Sequence, residues 1–297
     1  MRSLSNPIVS REVGSRMRNW PATLVLFGFL AVVVAVAIVA YEAERSTSTN
    51  AFDAVTAVEG AQVGRTLFDW TLFLVLLLIH FVVPAVAGAA IAGERERRTL
   101  APLQLTLVRP RSIVLGKLVS SIAYVMLLAV AAAPILAIGY LVGGVDIGDL
   151  LRAAVAVAFT ALVLGAVSIL CSALSTRVQV ATVAAYAIVV VMTLGSLATY
   201  SAVAIIDDRQ GDDPVDPPSA LLVAAPLATV ADFLAADGTS DSGPFHALAS
   251  LTETEDASGR TERGQFWPWS AGILFAVSVV VLGVATRRVR APGAHDR

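Results

Sequence analysis

Residues 21–41 form an unbroken apolar run with no charged side chain. At 1.5 Å of rise per residue, a helix of about twenty residues crosses the roughly 30 Å hydrocarbon core of a bilayer. Five more apolar runs follow, at 70–92, 118–142 (with a helix start as early as Ser112), 150–174 (with Arg152 close enough to its end to snorkel), 180–206 and 269–285. Hydrocarbon cannot hydrogen-bond the backbone, so each run must satisfy itself as a helix. A hydrophobic content of 57%, a charged content of 15% and a mean hydropathy of +0.77 agree, since a soluble domain is far less apolar. The sequence therefore predicts an all-α polytopic membrane protein with six transmembrane helices. A cleaved signal peptide is a rival reading of the first run, but its apolar core normally spans only about 7–15 residues.

Between the second and third runs lies a charged island, residues 93–117, that holds Glu94, Arg95, Glu96, Arg97, Arg98, Arg109, Arg111 and Lys117. One such side chain at the bilayer centre costs roughly 2.5–3.5 kcal/mol even on the lenient insertion scale. The island must lie in water at the membrane surface, and it is too short to fold as a domain. It is the natural place for a cytoplasmic partner to dock.

The remaining segments divide as follows. Residues 1–20 read as a cytoplasmic tail and an amphipathic helix on the lipid surface: Asn6-Pro7 starts it, Val9, Val13, Met17 and Trp20 fall on one face, and Arg11 and Arg18 fall on another. Residues 21–206 hold the first five helices and the island. Residues 207–268 form an acidic extracytoplasmic loop, whose many aspartates and glutamates face only Arg209, Arg260 and Arg263. Residues 269–297 hold the sixth helix and a basic tail with Arg287, Arg288 and Arg290. With both termini in the cytoplasm, most of the basic residues fall inside and nearly all the acidic ones outside, as the positive-inside rule requires. The apolar stretch 219–236 threatens this map as a possible seventh span. Its Pro226 and Asp232, and the reversal it would impose on the last arginines, point instead to one or two helices that lie on the outer surface or dip partway in.

Within the second run Pro84 is a candidate kink, since proline removes a helix donor and frees a carbonyl. His80 has no acidic or histidine companion in any run and reads as a hydrogen-bonded packing residue. The lone Cys171 rules out an internal disulfide. No HExxH, GxSxG or intramembrane carboxylate pair is present. Gly116-Lys117 is followed by Leu118, not Ser or Thr, and so does not make a phosphate-binding loop. The basic residues flank spans without interleaved aromatics, which argues against nucleic acid. No metal or cofactor site is expected in this chain.

GERERRTL, a short apolar stretch and then RSIVLGK entering a span resemble the region after the second helix of ABC-2 type transporter permeases, the membrane subunits of ATP-binding-cassette exporters. NPIVSRE near the N-terminus is similar to that family's elbow helix. PAVAGAAIAGERE, LVGGV and CSALSTRVQVATVAAY extend the likeness from about Asn6 to Tyr200. Two departures are visible: Arg98 stands where the family usually has glycine, and Arg109-Pro110 replaces a Thr-Pro arrangement. The resemblance implies that Glu94, Arg95, Glu96 and residues 99–106 form a cytoplasmic coupling helix seated in a cleft of a separate ATPase. Arg97 and Thr99 would take part, with Leu100, Leu103, Leu105 and Leu107 as an apolar plug. It further implies that ATP and magnesium are bound by that partner, and that the permease works as a homodimer or with a similar permease, moving its substrate outward. On the residues alone, an ion-gradient-driven carrier and a non-transporting membrane anchor or sensor subunit remain open.

Overall fold

The computed structural model describes residues 20–47, 57–99, 110–210, 218–236, 243–252, 254–255, 261–262 and 266–289. The surface helix expected through Val9, Val13 and Met17, and the leucines at 100, 103, 105 and 107, lie outside the described residues. Trp20 is the first residue of α1, Trp20–Thr47. Then come α2 Ala57–Glu96, α3 Pro110–Val142, α4 Ile147–Leu174 and α5 Val178–Val190. A π turn, Val191–Gly195, joins α5 to α6, Ser196–Gln210. A 3-10 turn at Ser219–Leu222, α7 Pro226–Ala235, α8 Pro244–Ala249 and a second 3-10 turn at Ser250–Thr252 come next. Two-residue stretches Thr254–Glu255 and Thr261–Glu262 pair antiparallel before α9, Phe266–Arg288. Six of these helical segments are long and apolar enough to cross a membrane, with α5, the π turn and α6 making one span.

The bundle is built around α2 and α4. Along α2, Leu72, Val75, Leu76, Ile79, Val83, Ala87 and Ile91 recur at three- and four-residue intervals and are buried. They meet α1, α3, α4 and α5. In α4, 67% of the apolar span is buried within the chain, against 11% in α1, so α4 is the interior helix and α1 the outlying one. Lipid tails are as apolar as leucine, so helix contacts here rest on close packing more than on exclusion of water. Small residues of α4 such as Ala156, Ala161, Ala166 and Ser168 supply that closeness.

At one end, here the cap end, the chain folds tightly over the bundle. A Cβ on Gly144 would fall 2.0 Å from the Ala61 carbonyl oxygen, and one on Gly139 would fall 2.7 Å from that of Gly64. Only glycine permits this approach of the α3–α4 turn to α2. Here α2 differs from expectation, because it begins at Ala57, well before the apolar run starts at Trp70. The extension is held by polar pairing: Arg65 Nε lies 3.3 Å from Asp69 Oδ2 and its Nη1 lies 2.9 Å from Asp149 Oδ2. Asp149 also closes a capping box with Asp146 at the start of α4.

The stretch 219–236 is not a seventh span. Its α7 has ten residues, about 15 Å of helix, and it packs on α4 and α9 at the cap end. Asp232 is buried because it serves α9: its Oδ2 accepts the Trp267 backbone N–H at 2.8 Å, and its Oδ1 accepts the Thr252 hydroxyl at 3.2 Å. A carboxylate at a helix N-terminus satisfies donors that have no partner within the helix.

Candidate functional site: the charged end of the second helix

The opposite end gathers the tail of α2, the start of α3 and the corner between α4 and α5. The α2 helix closes in a Schellman motif: the Thr99 N–H donates to the Glu94 carbonyl at 2.9 Å and the Arg98 N–H to the Arg95 carbonyl at 3.1 Å. The motif needs one left-handed residue. That residue is Arg98, at φ 57°, the position where the resemblance called for glycine.

The closure engages three consecutive side chains with other helices: Glu94 and Arg95 half-buried, Glu96 exposed at the surface of the corner. Glu94 Oε1 meets Lys117 Nζ of α3 at 2.6 Å. Lys117 is nearly buried, and its own carbonyl accepts the hydroxyls of Ser120 and Ser121. Arg95 donates through Nη1 to the Ser175 carbonyl at 2.6 Å and through Nη2 to the Ala173 carbonyl at 3.1 Å. These carbonyls lie at the C-terminal end of α4, where a cation offsets the negative end of the helix dipole. Glu96 Oε2 accepts the Val178 N–H at 3.1 Å at the start of α5, where an anion is favoured. Neighbouring residues of opposite sign thus serve opposite poles of two helices that meet at one corner. Ser172 adds a further tie, its hydroxyl oxygen accepting the N–H groups of Ile91 and Ala92, each at 2.9 Å.

The contact between α2 and α5 continues toward the middle of the bundle. A Cβ on Gly88 would come within 3.3 Å of the Thr182 Cα, and the Tyr186 hydroxyl donates to the Phe81 carbonyl at 2.7 Å. Helix α2 runs unbroken through the buried Pro84, three residues beyond that carbonyl. His80 Nδ1 lies 2.8 Å from the Leu76 carbonyl, a hydrogen bond within its own helix.

Of the residues singled out in the sequence, Glu94, Arg95 and Glu96 come together and are engaged within the chain. Arg97, Arg98 and Thr99 are exposed. Lys117, Ser172 and the 175–178 corner were not assigned a role from sequence. Their partners are in α2, about eighty residues back from α4 and α5 or across the island from α3, and no local pattern reveals the pairing.

The two ends differ in net charge. Around the closure of α2, Arg95, Arg97, Arg98, Arg111, Lys117 and Arg177 outnumber Glu94 and Glu96, and α9, which starts at the cap, carries Arg287 and Arg288 in its last turn. At the cap, Asp69, Asp146, Asp149 and Asp232 outnumber Arg65 and Arg152.

Six apolar spans with charged groups sorted to the ends define a multi-pass membrane protein of the helical-bundle class. A protein-family model described as ABC-2 family transporter protein matches residues 7–285, and the chain belongs to that family. It is a transporter membrane subunit. Comparison with curated proteins gives no match.

Proposed function

We propose that this chain is the permease subunit of an ATP-driven transporter of the cytoplasmic membrane, in which a separate ABC ATPase docks on the end formed by residues 93–117. The observation that carries this reading is the closure of α2. It binds the island's first three charged residues to three other helices, so a force applied to the segment beyond Arg98 is received by the bundle and not by a loose loop. The basic character of that end supports a cytoplasmic placement under the positive-inside rule, with both termini on the same side. In this reading ATP and magnesium belong to the ATPase, two permeases pair as a homodimer or with a similar chain, and the substrate moves outward. Arg97 and Thr99, with the leucines at 100, 103, 105 and 107, are the contact residues, whereas Glu94, Arg95 and Glu96 act inside the permease.

The test is co-purification in detergent with a soluble ATPase, sought in the neighbouring reading frame by its GxxxxGK[ST] motif. The Arg97→Glu, Leu103→Asp double variant is expected to lower ATPase recovery by about tenfold, the effect of roughly 1.4 kcal/mol at an interface. Equal recovery, or a permease that never retains an ATPase, would refute the proposal.

A further inference from the structure

The ties between α2 and the corner after α4 extend over several turns: Glu96 to Val178, Arg95 to Ser175 and Ala173, Ser172 to Ile91 and Ala92, Gly88 against Thr182, and Tyr186 to Phe81. Beyond them the fifth span changes character. At Val191–Gly195 the helix takes a π turn, in which the Thr193 hydroxyl turns back to the Val189 carbonyl, and α6 then packs on the 3-10 turn Ser219–Leu222 of the cap. The span is therefore divided: α5 belongs to α2, and α6 belongs to the cap. Single π turns mark places where a helix carries an extra residue and its register shifts.

We propose that Arg95 and Glu96 are positioning residues that fasten the α4–α5 corner to the tail of α2, so that a pull on the island moves α5 with α2 and bends the fifth span at its π turn. The source of the pull rests on the function proposed above. The fastening itself does not. Arg95 holds two carbonyls with one planar fork, which fixes orientation as well as distance, and a lysine could not reproduce both bonds. Glu96 holds the first turn of α5 by a main-chain donor that has no partner inside its own helix. Loss of Arg95 leaves Glu96 as the polar tie from the tail of α2 to this corner, loss of Glu96 leaves Arg95, and the Ser172 and Tyr186 bonds nearer the middle of the bundle remain in both cases.

The experiment uses the full chain in lipid nanodiscs, with Cys171→Ala as background and nitroxide labels at Arg97→Cys and Arg177→Cys, both exposed. Electron–electron double resonance of this pair is expected to give one narrow distance. In Arg95→Met and in Glu96→Met, changes that keep an unbranched side chain but remove the donors and the acceptor, the distribution is expected to broaden, while a control pair at the exposed cap-end positions Leu141 and Leu151 stays unchanged. An unchanged 97/177 distribution in both variants would overturn the fastening. With the ATPase present and Arg97 left intact, ATP is expected to shift the distance between labels at the exposed positions 177 and 205, which lie on either side of the π turn. A constant 177/205 distance in a permease that retains its ATPase would overturn the division of the span. Failure to recover any ATPase would count against the proposed function alone, because the first measurement needs no partner.

Discussion

Lys117 Nζ and Glu94 Oε1 are 2.6 Å apart, and this pair ties the start of α3 to the end of α2 across the stretch that separates the two spans. The lysine side chain is 7% exposed and the glutamate 26%, so the two are not equivalent. Glu94 can turn to water when its partner is removed. Lys117 has far less access.

From this asymmetry, Glu94→Ala is expected to destabilise the protein more than Lys117→Ala. The fully buried limit for losing one partner is about 3–5 kcal/mol, and partial exposure reduces the expected cost to roughly 1–3 kcal/mol. The double variant should lose less than the sum of the two. Thermal unfolding in detergent, arranged as a double-mutant cycle, measures the coupling.

Arg98 at φ 57° carries the steric cost of a left-handed L-residue at the point where α2 closes. Arg98→Gly is expected to raise stability by about 0.5–1 kcal/mol, and Arg98→Val to lower it by more. The melting temperatures of the two variants should move in opposite directions, and a lower value for the glycine variant would contradict the strain argument.

At the cap end, Gly144→Ala would push a methyl group to 2.0 Å from a backbone oxygen that cannot swing away. Loss of the folded protein, or a destabilisation of about 3 kcal/mol or more, is expected. Gly28→Ala is the control: its Cβ would have nothing within 4 Å, so little change is expected. Yield and monodispersity on size-exclusion chromatography separate the two outcomes.

Asp232 binds two donors at the entry of α9. Asp232→Ala leaves the Trp267 N–H without its acceptor and is expected to cost about 1–3 kcal/mol. Hydrogen exchange at the Trp267 amide should accelerate while the middle of α4 keeps its protection. Unchanged exchange at Trp267 would show that another group takes over the cap.

The spans were legible because an apolar run charged at most near its ends has one stable conformation in hydrocarbon, and nothing distant alters that. Their ends were less so. The start of α2 at Ala57 depends on Arg65 finding Asp149, and the burial of Asp232 depends on the N-terminus of α9 lying beside it. The charged island was visible as a unit, but Glu94, Arg95 and Glu96 read from sequence as residues facing a partner. Their engagement with Lys117, Ser175 and Val178 is a property of the folded bundle. The departure at Arg98 was visible too, although only the closing turn of α2 gives it a physical meaning.

Because adjacent residues at 95 and 96 address the exit of one helix and the entry of the next, the spacing between Gly93 and Arg98 admits no slippage. One residue inserted ahead of Arg95 would rotate both side chains by about 100° around the helix axis and present each charge to the wrong neighbour. A protein engineer seeking to graft a foreign docking segment onto this bundle should therefore cut after Thr99 and leave the preceding turn untouched.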